Sequence, residues 1–173
     1  EDIVRLTDSG LTFYHNEEEL KKAFVTVRMD LNAAEKGSYA HFMLKEMQEQ
    51  PKAIADTMNP RLRDGSIVIK ELGISDNKIR QIQKIYIVAC GSAYHTGVTA
   101  KYVFEGLARI PLEVDLASEF RYRNPILGEN TLVIIVSQSG ETADSLTALR
   151  KAKANGVMVL GIVNVVGSSI ARE

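Results

Sequence analysis

The stretch Lys84-Ile85-Tyr86-Ile87-Val88-Ala89-Cys90-Gly91-Ser92-Ala93-Tyr94-His95 changes character at its middle. Residues 85–90 are almost continuously apolar, and Gly91 then opens a stretch with helical character over 94–108. An apolar run without alternation is what a strand covered on both faces requires. Three more strand candidates follow: Leu112-Glu113-Val114-Asp115-Leu116-Ala117, Leu132-Val133-Ile134-Ile135-Val136 and residues 157–163. A second helix is expected over 142–155, closed by Gly156 as its C-cap, and a single helical turn around 118–123. Strands alternating with helices imply right-handed crossovers and a parallel sheet. The expected class is α/β.

Upstream the rhythm is different. Ile3-Val4-Arg5-Leu6 and Leu11-Thr12-Phe13-Tyr14 flank Asp8-Ser9-Gly10, which predicts a β-hairpin. A lone hairpin is marginal in water, so it is expected to pack on something else. The charged run Glu17-Glu18-Glu19-Leu20-Lys21-Lys22 reads as a solvated loop or helical turn, and Val25-Thr26-Val27 as a short extended piece. Over 33–58 the pattern is helical, with Phe42, Met43, Met47 and Ile54 on an apolar stripe and Phe42, Met43 and Met47 as core candidates. Pro51 predicts a kink, or a restart with the proline in the first turn of a second helix. Asn59-Pro60 and Asp64-Gly65 mark a loop, and residues 74–83 another helix.

The composition bounds the function classes. The chain has 173 residues, with 21 basic and 22 acidic side chains and 45% hydrophobic content. A chain near 150 residues buries roughly 70% of its unfolded surface, so no staple is needed. A net charge of −1 argues against an electrostatic binder of nucleic acid or membranes. The single cysteine, Cys90, excludes an internal disulfide framework, and His15, His41 and His95 show no metal-ligand spacing. No apolar run approaches the ~18 residues of a membrane span. The opening Glu1-Asp2-Ile3-Val4 has no secretory pattern, so a cytoplasmic location is expected.

In an open parallel sheet, ligands bind beyond the carboxyl ends of the strands. Two such ends are unusual: Cys90-Gly91-Ser92-Ala93 and Ser137-Gln138-Ser139-Gly140-Glu141-Thr142. Glycine lets backbone approach a ligand, and the free N–H groups and dipole of a following helix favour an anion. Ser137, Gln138, Ser139 and Thr142 are candidate neutral donors to one phosphate. The plainer alternative is that these hydroxyls are N-caps, worth about 1 kcal/mol each. One helix needs only one cap, and the second loop offers several. Glu141 would repel a dianion, so it is expected to point towards solvent or a basic neighbour. Cys90 reads first as a small buried apolar residue, His95 as structural, and Arg121 and Arg123 as salt-bridge formers.

These loops, together with Ala117-Ser118-Glu119-Phe120-Arg121-Tyr122-Arg123, resemble the first sugar isomerase (SIS) domain of the glucosamine-6-phosphate synthase family. Glu35-Lys36-Gly37-Ser38-Tyr39-Ala40-His41-Phe42-Met43-Leu44-Lys45-Glu46 and Glu49-Gln50-Pro51 are similar to that family's entry into its isomerase half. The resemblance implies a three-layer αβα fold with a flavodoxin-like parallel sheet, incomplete at its C-terminal end and preceded by a hairpin and helical linker. Residues 1–34 would be the end of a glutaminase domain with its linker, and 35–173 a truncated first SIS domain.

The family moves ammonia from glutamine to fructose 6-phosphate, giving glucosamine 6-phosphate and glutamate without metal or organic cofactor. By motif, Ser137, Gln138, Ser139 and Thr142 would hold the sugar phosphate, while Cys90, Gly91 and Ser92 would face the sugar, Cys90 as a wall and not a nucleophile. Some relatives carry serine where this chain has Ala93, so one hydroxyl contact to the sugar that the resemblance would imply is not expected to carry over. The catalytic N-terminal cysteine has no counterpart at Glu1, and the family's Schiff-base lysine, proton-moving glutamate and ring-opening histidine lie downstream in relatives. A fragment with binding loops, no catalytic residue of its own and no turnover alone is therefore expected. Its partners would be fructose 6-phosphate or glucosamine 6-phosphate, the rest of the parent enzyme and a second copy in a homodimer, with no nucleic acid or membrane. The alternative is a non-catalytic SIS regulatory module that senses a sugar phosphate.

Overall fold

The computed structural model of this chain describes residues 2–23, 35–69 and 72–173. The chain divides into two compact units, Glu1–Val68 and Ile69–Glu173.

In the first unit, β1 (Asp2–Thr7) and β2 (Gly10–His15) form the expected hairpin, Thr7 facing Gly10 across the turn Asp8-Ser9. The charged run does not remain a loop. β3 (Glu18–Leu20) pairs antiparallel with β2. The turn responsible is Asn16-Glu17, whose φ values of 49° and 69° match the right-handed twist of the flanking strands. Val25-Thr26-Val27 and the expected helix start at residue 33 lie outside the described residues.

Helix α1 (Phe42–Met58) is a single helix with Pro51 inside it, not two helices meeting at the proline. Ion pairs at four-residue spacing, Lys45–Glu49 and Lys52–Asp56, stand on either side of Pro51; at about 0.2–0.5 kcal/mol each they recover only a small part of the ~3 kcal/mol an interior proline costs. The expected core residues Phe42, Met43 and Met47 are exposed, Met43 at 72%, and Lys45 is the buried side chain of this helix. Periodicity shows that a stripe exists; it does not show that anything covers it. Asn59–Arg61 forms a 3-10 turn, and Asp64-Gly65, both with positive φ, closes the small hairpin of β4 (Leu62–Arg63) and β5 (Ser66–Ile67).

In the second unit, the expected helix over 74–83 is the short α2 (Asp76–Arg80), capped by Ser75 accepting the Lys78 N–H. The four strand candidates become β6 (Lys84–Ala89), β7 (Leu112–Leu116), β8 (Thr131–Ser137) and β9 (Met158–Val163). They form one parallel sheet in the order β7-β6-β8-β9. Between them run α3 (Gly91–Leu107), α4 (Ala117–Tyr122) and α5 (Ala143–Ala154), and α6 (Ser169–Arg172) follows β9.

Both faces of β6 are buried, which explains its unbroken apolar run. Tyr86 and Val88 pack with Phe120 of α4 and Ala148 and Leu149 of α5, whereas Ile85 and Ile87 point to the opposite face with Ala100 of α3 and Val114. The Tyr86 and Phe120 rings meet edge to face at 5.9 Å. Helices on both faces of a parallel sheet are the three-layer αβα arrangement expected from the sequence. Because β6 is central and the chain crosses over it between β7 and β8, the crevice where ligands enter such sheets lies at the carboxyl ends of β6 and β8.

Candidate functional site

Ala89 pairs with Val136, so the chains leaving β6 and β8 start side by side. The first turns into α3 through Cys90 and Gly91. Gly91 has φ +56°, and nothing lies near its missing Cβ, so it is the turn and not space that requires glycine there. The second turns into α5 through residues 138–142. Ser137 Oγ accepts the Gly140 N–H at 3.0 Å, Ser139 Oγ accepts the Glu141 N–H at 3.2 Å, and the Thr142 hydroxyl lies 3.5 Å from Ser137 Oγ.

The two corners enclose a cleft of about 160 Å³. Six of the seven residues singled out from the sequence line it: Cys90, Ser92, Ser137, Gln138, Ser139 and Thr142. The seventh, Gly91, shapes the first corner without lining the cleft. Ala93, Val136 and Ser145 complete the wall. Ser145 escaped the sequence reading. It is 1% exposed and its hydroxyl lies 3.8 Å from Cys90 Sγ, linking the two corners. The available signal was its place three residues after Thr142, on the same helical face.

Two features favour an anion. Cys90 and Thr142 are the N-cap residues of α3 and α5, and neither makes a side-chain cap hydrogen bond. The simple capping explanation therefore fails for Thr142, and both helix N-termini present first-turn N–H groups without a capping oxygen from their own N-cap side chains. The carboxylates nearby are also engaged elsewhere. Glu141 turns away, as expected, and its Oε1 accepts the Ser169 N–H at 2.7 Å. Ser169, through its hydroxyl and its backbone N–H, holds the Glu141 carboxyl below its ordinary value, aided by Arg172. Asp144, in the first turn of α5, pairs with Arg121. Arg123 pairs with Asp115 at 2.6 Å, so both arginines make the structural ion pairs expected of them.

A larger concavity, about 270 Å³, lies at the amino ends of the same strands, beside Lys78, Asn130 and Met158. That is the end of a parallel sheet opposite to the one that receives ligands. Among the described residues no helix is long and apolar enough to cross a membrane, and no cluster of three or more metal-ligating side chains occurs.

The SIS domain family model matches residues 78–173. The chain belongs to the SIS domain family. Its relatives include the glutamine–fructose-6-phosphate aminotransferase (isomerizing) of Clostridium acetobutylicum, 58% identical over 173 residues, which cover 99% of this chain and 28% of that protein. The enzyme of the same name from Clostridium tetani is 53% identical over 174 residues, 99% of this chain and 29% of its own length. Among solved structures, the C-terminal domain of the glucosamine-fructose-6-phosphate aminotransferase of Francisella tularensis aligns with a TM-score of 0.72 and 43% identity, covering 80% of this chain and 39% of that one. This SIS chain thus spans less than a third of the length of the curated relatives it matches.

Proposed function

We propose that the cleft binds the phosphate of a hexose 6-phosphate, and that this SIS domain is the sugar-binding first half of the isomerase part of a glutamine–fructose-6-phosphate aminotransferase. The observation that carries the reading is the meeting of two helix N-termini, neither closed by its own N-cap side chain, on one cleft walled by hydroxyl and amide groups. Ser137, Gln138, Ser139 and Thr142 would surround the phosphate, with Cys90, Gly91 and Ser92 towards the sugar and the Cys90 thiol as a wall. The parent reaction would convert fructose 6-phosphate and glutamine to glucosamine 6-phosphate and glutamate, in a cytoplasmic homodimer. Residues 1–34 would belong to the glutaminase side and its linker, and 35–173 to the SIS domain.

The described residues that line the cleft carry hydroxyl, amide and thiol groups, which are binding groups. The 173-residue chain is expected to bind fructose 6-phosphate without turning it over. Titration of fructose 6-phosphate into the chain and into Thr142→Ala and Ser139→Ala tests the assignment. Each hydrogen bond to a charged group contributes roughly 1.5–3 kcal/mol, so both variants should bind at least about tenfold more weakly. Equal binding by all three proteins would discard the phosphate site. With neutral donors dominant, added salt should weaken binding only modestly.

A further inference from the structure

We propose that Glu141 is a positioning residue for this loop, anchoring residues 137–142 in their binding shape through the Ser169 N–H of the turn behind them. The inference rests on the reading of the cleft as a phosphosugar site.

Three contacts mould the rear of the loop on residues 168–170. Glu141 Oε1 accepts the Ser169 N–H at 2.7 Å. Gly140 O accepts the Ile170 N–H at 3.0 Å. Gly140 itself has φ +65°, and a Cβ there would lie 2.1 Å from Ser168 Oγ and 2.5 Å from Ser168 Cβ. Ser168 is 3% exposed, and its hydroxyl has no hydrogen-bond partner among the described residues.

The peptide between Gly140 and Glu141 is thereby held from both sides, its carbonyl by Ile170 and its N–H by Ser139 Oγ. Within the loop, Ser137 and Ser139 supply only neutral hydrogen bonds. The Glu141 bond is charge-assisted and reaches 28 residues along the chain, to an element packed on α5 and β9. This accounts for an acid in a loop that would receive a dianion: its charge is spent on the rear contact, and the front is left to hydroxyls and amides.

The test is a fructose 6-phosphate titration of the 173-residue chain and of Thr142→Ala, Glu141→Ala and Glu141→Gln, with amide hydrogen exchange followed on the unmutated chain and on Glu141→Ala. Loss of the acceptor should weaken binding about tenfold in Glu141→Ala, whereas Glu141→Gln, which keeps a side-chain oxygen, should stay within about threefold. By reciprocity, bound sugar phosphate should slow exchange at the Ser169 and Ile170 amides of the unmutated chain, and this protection should disappear in Glu141→Ala. A merely structural role would alter exchange at core amides such as Val88 and Ile134 and leave no ligand-dependent change at Ser169. If the unmutated chain binds and Thr142→Ala weakens it, while Glu141→Ala binds normally, the positioning role is overturned and the phosphosugar site stands. No binding by the unmutated chain overturns both. Should Glu141→Ala fail to fold, exchange in the unmutated chain still decides: ligand-dependent protection of the Ser169 and Ile170 amides supports the positioning role, and binding without that protection overturns it.

Discussion

Gly97 of α3 lies so close to Ile87 of β6 that a Cβ on the glycine would come within 2.8 Å of Ile87 Cγ2, and within 2.9 Å of Val114 Cγ1. A glycine in a helix interior costs about 1 kcal/mol relative to alanine, yet here it lets the helix settle onto the sheet. Gly97→Ala should therefore destabilise the protein, by about 1–3 kcal/mol through overpacking, instead of stabilising it. Chemical denaturation measures the sign. A more stable variant would show that α3 has room to move outward.

Thr142 separates capping from ligand binding. Its side chain makes no cap bond, and its one neighbouring hydroxyl is 3.5 Å away. Thr142→Ala should change folding stability by less than about 0.5 kcal/mol, well below the ~1 kcal/mol of a working N-cap. It should nonetheless lose fructose 6-phosphate affinity. Parallel denaturation and titration distinguish the two roles, and a large stability loss with unchanged affinity would reverse the assignment.

Arg121 masks the charge of Asp144 in the first turn of α5, next to the cleft residue Ser145. The pair is partly exposed, so Arg121→Ala should cost no more than about 1 kcal/mol of stability. The uncompensated carboxylate should weaken phosphosugar binding at low salt, on the order of twofold to threefold, an effect that salt screens. Asp144→Asn should show no such salt-dependent loss. Titrations at two ionic strengths decide.

In the small antiparallel sheet, Asp2 meets Lys22 and His15, the latter at 2.8 Å. The hydrogen bond from Lys22, then that from His15, lowers the Asp2 carboxyl from 3.8 to about 2. Its folded value is depressed, so its contribution to the sheet is complete above pH 3.8 and is lost as pH falls through about 2. NMR titration of the Asp2 carboxyl should show this low midpoint, and Lys22→Met should move it up towards 3.8. An unchanged midpoint in that variant would remove Lys22 as the cause.

Much of this was readable along the chain. Residues 85–90 announced a strand buried on both faces because β6 has Tyr86 and Val88 on one side and Ile85 and Ile87 on the other. Six of the seven candidate residues meet in one cleft because they sit at strand ends, where glycine and hydroxyl side chains are locally visible. Two readings failed: Met43 and Met47 are exposed, and the run around Glu18 forms a strand. The first outcome depends on what packs against the helix and the second on the geometry of the Asn16-Glu17 turn, neither of which residue type alone reports. Of the two outcomes Pro51 predicted, the restart does not occur, because one helix runs through it.

Periodicity, chain punctuation and residue chemistry were enough to specify an α/β chain with two glycine-bearing corners suited to an anion, since these properties arise among residues a few positions apart. The adjacency of those corners, the burial of Ser145 between them and the rearward aim of Glu141 came from the folded molecule. They follow from the placing of β6 beside β8, and from a turn 28 residues downstream that offers its amide to Glu141. Pairing of distant strands depends on hydrogen bonding and crossover packing over the whole sheet, and no local stretch encodes those by itself.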